Sequence, residues 1–128
     1  MILELLLSDN MKITAHAKKM IEENPMSLAT VGAGKPNVIV VACVKVVSKN
    51  QILITDNFMK QTKKNIAKNP NVCIAVWDKN WKGYKINGKA RYFSSGKWKE
   101  FVQGMKESKS MPAKGAILVT VSKIVKLG

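Results

Sequence analysis

From Met11 to Asn24 the apolar positions Ile13, Ala17, Met20 and Ile21 recur at i, i+4, i+7 and i+8, with Lys18, Lys19 and Glu22 between them. That period predicts an amphipathic helix, which Pro25 stops. Beyond Pro25 the period changes to that of strands. Met26–Val31 is a first predicted strand, and Gly32–Pro36 a turn. The valine-rich run Asn37–Ser48 reads as one long strand, buried on much of both faces. Lys49-Asn50 then turns the chain into Gln51–Thr55, which completes a hairpin pattern. A short helix is expected over Met59–Asn69, ended by Pro70. Strands follow over Val72–Trp77 and Tyr84–Phe93, a helical stretch over Lys97–Glu107 carries Trp98, Phe101, Val102 and Met105, and a last strand covers Ala116–Val125.

Six strands and three short helices result, with strands following one another rather than alternating with helices. That order predicts a mainly β protein, an antiparallel sheet closed as a six-stranded barrel with helices plugging its ends, and it disfavours a parallel dinucleotide-binding arrangement. With 128 residues, 46% of them hydrophobic and 23% charged, the chain is expected to form a single folded domain over 1–128. The opening Met1–Leu7 is too short to span a membrane, is interrupted by Glu4, and lacks the features of a signal peptide. It is expected to pack or to contact a second subunit.

The net charge of +14 comes from 22 basic against 8 acidic residues, and Arg91 is the sole arginine among them. Such a field attracts anions and nucleic acid. Bidentate phosphate and base recognition favours arginine, however, and lysines scattered from Lys12 to Lys126 read as a solvated surface. Cys43 and Cys73 lie in apolar runs without a ligating neighbour and are expected as buried, reduced thiols in a cytoplasmic protein.

Catalytic sets are scarce. His16 is the single histidine and is expected to be solvated or to cap its helix, and the carboxylates form no pair suited to acid–base hydrolysis. Nothing here would hold zinc. Any chemistry therefore falls to a bound cofactor. The segment Ile54–Ile66, ITDNFMKQTKKNI, offers a place for one. A strand end, a polar turn and a helix start bring backbone N–H groups, the Thr62 hydroxyl and Lys60 or Lys63 to one helix N-terminus, a setting suited to phosphate. An ordinary strand–turn–helix junction with solvated lysines has the same local pattern.

Three stretches, SLATVGAGKPNVIVVACVKVV, QILITDNFMKQTKKNIAKNPNVCIAVWD and GYKINGKARYF, resemble the pyridoxamine 5′-phosphate oxidase-like superfamily of FMN-binding split barrels, and within it the short single-domain FMN-binding proteins. The most specific piece is a strand followed by KQTKKNI and then NPNV. The resemblance implies FMN as cofactor and a homodimer with its sites between subunits. It implies that Val38, Ile39, Val40 and Val41 pass the flavin, that Thr55, Asp56, Asn57 and Phe58 line the ring through backbone groups, and that Lys60, Gln61 and Thr62 hold the phosphate. Tyr84 would begin a strand near the cofactor, while Lys85 and the Met111-Pro112 loop would complete the site from the partner chain. Trp77 and Trp81 suit core or interface roles, Gly83 a turn and Gly88 a bulge. Many members carry arginine in the strand matching Val38–Ala42, or a basic residue where Gln61 stands, so here the phosphate grip falls to Lys60, Thr62 and backbone amides.

The function implied is that of a small redox protein, an oxidoreductase or electron carrier, whose lysines favour anionic reduced flavin. Two alternatives remain open. One is a basic barrel of OB type binding single-stranded nucleic acid, against which the single arginine and unclustered aromatics count. The other is a split barrel of the same fold that takes F420 or haem.

Overall fold

The valine run that reads as one strand is two. In the computed structural model, which describes residues 12–128, the chain enters helix α1 (Ala15–Glu23) and then strands β1 (Met26–Gly32), β2 (Lys35–Val41), β3 (Val44–Ser48) and β4 (Gln51–Asp56). Helix α2 (Gln61–Lys68) follows, then β5 (Asn71–Trp77), β6 (Gly83–Phe93), helix α3 (Lys97–Gln103), a 3₁₀ turn at Lys106–Ser108, and β7 (Gly115–Leu127). The expected six strands are therefore seven. The break at Ala42-Cys43 occurs because the chain changes partners there: β2 pairs with β1, whereas β3 pairs with β4.

All pairings are antiparallel, in the order β2-β1-β5-β6-β7-β4-β3. The two edge strands of this sheet are thus neighbours in sequence, joined only by Ala42 and Cys43. A link that short reaches roughly 10 Å at full extension, so the sheet curls until its edges meet. Across the joint, Thr55 N–H donates to the Cys43 carbonyl at 3.0 Å. The result is a split barrel, closed by the chain rather than by a β2–β3 ladder.

Alternation then places the core. Met26, Leu28, Ile52, Ile54, Ile74, Val76, Ile86, Ile117 and Val119 all point inward and are fully buried. Helix α1 covers one opening with the stripe Ile13, Ala17, Met20 and Ile21, as its period predicts. Thr14 Oγ1 caps it by accepting from Ala17 N–H at 3.1 Å, and the Glu22 carboxylate accepts from Val46 N–H at 2.8 Å. A second cluster lies outside the barrel, where Val102 of α3 packs with Leu53, Ala116 and Leu118 and covers the outer faces of β4 and β7. Phe101, expected on that apolar face, is instead exposed. The bulge expected at Gly88 is present between Asn87 and Gly88; a Cβ there would lie 2.6 Å from the Thr120 carbonyl oxygen.

Two further expectations change. β2 is not buried on both faces: Val38 and Val40 are 64% and 71% exposed, because none of the described residues covers the outer face of this edge strand. Cys43 and Cys73 are reduced but half-buried, Cys73 because it too points outward, in register with Ala29 and Asn87. The Met1–Leu7 segment lies outside the described residues. Among the described residues, no helix is long and apolar enough to cross a membrane.

Candidate cofactor site at the barrel seam

The joint between β2 and β3 forms one wall of a cavity of about 400 Å³, and the end of β4 and the turn into α2 form the other. β2 contributes Ile39, Val40 and Val41, the joint Ala42 and Cys43, β4 Thr55, and the turn Asn57, Phe58 and Met59. Lys60, Gln61 and Thr62 come from the start of α2, and Met111 from the loop before β7. Most residues expected at a cofactor thus surround one space. Val38 points instead to the outer face beside it.

Asp56 stands behind the wall. It is 1% exposed, and its carboxylate accepts from Met59 N–H at 2.8 Å and from the Tyr92 hydroxyl. Its backbone carbonyl accepts from Lys114 N–H at 2.8 Å, while Asn57 Oδ1 accepts from Ala113 N–H at 3.0 Å. These bonds strap the loop before β7 onto the β4–α2 turn and bring Met111 to the cavity rim, with Pro112 exposed beside it. Tyr92 titrates well above its ordinary value: burial disfavours the phenolate, and the hydrogen bond to Asp56 and that group's negative charge act in the same direction. Lys63 lies 4.8 Å from the Tyr92 ring centroid, which leaves Lys60 as the lysine lining the cavity.

Two hydroxyls matter most. Thr62 is 1% exposed and accepts from Asn37 Nδ2 at 3.2 Å, so its own proton is free to be donated. Thr55 Oγ1 is buried and has no partner at all. An unpaired buried hydroxyl costs about 1–3 kcal/mol; Thr55 borders the cavity, but its Oγ1 has no surface open to it. The α2 N-terminus is also unsatisfied: no side chain caps it, and its first turn carries no acid. Lys60, Lys64 and Lys68 repeat at i, i+4 and i+8, and each such like-charge pair costs roughly 0.2–0.5 kcal/mol. An anion at this helix start would satisfy its free amides and lie beside Lys60.

Tyr84 and Lys85 do not line the cavity. Tyr84 faces into the barrel, where its hydroxyl lies 2.7 Å from His16 Nδ1 of α1. Lys85 is exposed on the outer face of β6. Asn37, Ala42, Cys43 and Met59 were not among the expected site residues. Asn37, a polar residue at the head of the valine run, stands next to the expected Val38–Val41. Among the described residues no group of three His, Cys, Asp or Glu side chains could hold a metal.

A seven-stranded split barrel with a cavity at its seam defines a structural class, and the comparisons agree with that fold. The family model described as pyridoxamine 5′-phosphate oxidase matches residues 13–127, and the chain belongs to that family. A protein of Methanocaldococcus jannaschii with no described function is 30% identical over 121 residues, covering 91% of this chain and 81% of that one. The crystal structure of HupZ from Group A Streptococcus superposes with a TM-score of 0.81 at 27% identity, over 90% of this chain and 94% of that one. An FMN-binding protein from Syntrophomonas wolfei shares the fold, with a TM-score of 0.76 at 17% identity over 98% and 91% of the two chains.

Proposed function

We propose that the protein binds FMN in the seam cavity and serves as a small homodimeric redox protein. The observation that carries this reading is the cavity itself, which runs from the apolar joint of β2 and β3 to the uncapped start of α2, with Lys60 in its lining. Apolar walls from Ile39, Val41 and Met59 suit a planar ring. Lys60, the Thr62 proton and the first-turn amides of α2 suit a phosphate dianion. The bound flavin supplies the electron or hydride transfer; the chain's residues position it, exclude water and surround it with positive charge. A fold neighbour described as FMN-binding supports the choice of ligand.

The dimer reading rests on the sheet's uncovered face. Register places Val40, Ser27, Ala75 and Lys85 in one row across β2, β1, β5 and β6, and Val38, Ala29, Cys73 and Asn87 in the next. These rows form a smooth, largely apolar surface with exposed Val38 and Val40 at one side. Val40 also lines the cavity, so a subunit docked here would close it. Lys85, about 14 Å along the row at the usual strand spacing, would then reach the neighbouring subunit's site.

The decisive measurement is the absorbance of the purified protein with and without added FMN. A bound oxidised-flavin spectrum, bleached by dithionite, is expected. No change in FMN absorbance or fluorescence at saturating protein would overturn the reading, and steeply salt-dependent binding of single-stranded DNA would then favour the nucleic-acid alternative. Sedimentation tests the dimer: Val40→Glu should yield monomers, and a wild-type monomer would refute the shared site.

A further inference from the structure

A second cavity, of about 430 Å³, lies on the far side of the α2 start. Asn37 and Gln61 line both cavities, so the two meet along one wall. That wall is fixed. Gln61 Nε2 donates to Asn65 Oδ1 at 2.8 Å, Asn65 donates onward to Thr30 Oγ1 at 2.9 Å, and Asn37 donates to Thr62. Gly32 forms part of the lining: a Cβ there would fall 1.9 Å from Asn65 Oδ1, so any side chain would displace the group that holds Gln61.

The charge of the second cavity is one-sided. Lys35 enters from the start of β2, Lys64 and Lys68 from successive turns of α2, and no carboxylate is among the lining residues. Lys60 serves the first cavity and Lys63 lies over Tyr92, so the lysines of this helix divide among three places. Lys64 and Lys68 repel each other on one face, an arrangement that a local stability argument disfavours and a bound anion reverses.

We propose that this second cavity is a subsite for anionic groups carried beyond the cofactor's first phosphate. On that assignment the preferred ligand is a redox ring whose phosphate sits at the α2 start and whose extension, a second phosphate or a chain of carboxylates, lies among Lys35, Lys64 and Lys68. The proposal rests on the seam cavity being the flavin site, and it makes plain FMN an incomplete ligand for this chain.

Equilibrium titration of riboflavin, FMN, FAD and F420, followed by fluorescence at low and moderate salt, tests it. FAD adds a second phosphate and F420 adds carboxylates to its phosphate. At least one of the two should bind about tenfold more tightly than FMN at low salt, a gain that shrinks as salt screens it. The variant K35A/K64A/K68A should abolish that gain and leave FMN affinity within about twofold of wild type. The variant K82A/K123A/K126A removes equal charge from the loop before β6 and from β7 and should retain the gain. Tighter FAD assigns the subsite to phosphate, and tighter F420 assigns it to carboxylates. If FMN binds but neither extended ligand gains, or the gain survives K35A/K64A/K68A, the subsite is refuted while the flavin reading stands. If neither riboflavin nor FMN binds, both fall together.

Discussion

The helices α1 and α2 both pack against the barrel, yet they obey local rules to opposite degrees. α1 has a side-chain cap, an unbroken apolar stripe, and a glutamate tied to the edge of β3. α2 has no cap, lysines repeating along one face, and two buried polar side chains, Thr62 and Asn65, among its eight residues. One helix spends its sequence on stability. The other carries local costs that an anionic ligand would offset, which is the pattern expected where function overrides propensity.

That contrast can be broken at either helix. The largest effect should follow from Ile21→Ala, which opens a void under α1 and should cost about 2–5 kcal/mol of unfolding free energy in urea while leaving the FMN affinity of folded protein unchanged. Next comes Thr62→Ala on α2. It should weaken FMN about ten- to a hundredfold, the scale of a charge-assisted hydrogen bond, and weaken riboflavin less; equal losses would misplace the phosphate. Thr14→Ala removes the α1 cap and should cost about 1 kcal/mol of stability with no change in flavin binding.

Thr55→Val should not share that cost. The unliganded protein should be as stable as wild type or slightly more so, because an unpaired buried hydroxyl is gone, with flavin binding little changed. The smallest effect belongs to alkaline pH. The folded state holds the Tyr92 proton more tightly than the unfolded state, so its contribution is complete below the ordinary tyrosine value of about 10 and is lost as pH rises above it. Unfolding curves between neutral and strongly alkaline pH should show Tyr92→Phe flattening that decline.

The helical stripe of α1, the hairpin at Lys49-Asn50 and the bulge at Gly88 were legible because period and punctuation mark them. The division of β2 from β3 was not. Valines continue on both sides of Ala42-Cys43, and a change of strand partner leaves no mark on side-chain pattern, since it depends on where distant β1 and β4 lie. The strand–turn–helix junction at the start of α2 was readable from its polar turn, and Lys60, Gln61 and Thr62 do border one cavity there. Tyr92's bond to Asp56 joins residues 36 positions apart, and Tyr84's pairing with His16 spans 68; local pattern carries neither. The second lysine cavity was likewise hidden, because Lys35 and Lys68 meet only when the β1–β2 hairpin folds beside α2.

The seam at Ala42-Cys43 has a mechanical consequence. Cutting the chain there would leave the strand ladders intact and remove the covalent reason for the sheet to stay rolled. A molecule seated between β2 and β4 bridges that same gap, so it acts as a removable clasp, and occupancy and closure become one equilibrium. In a protein nicked at the seam, the packed core alone would hold the barrel rolled, and a ligand at a hundredfold excess over its dissociation constant should favour that state by about a further 2.7 kcal/mol.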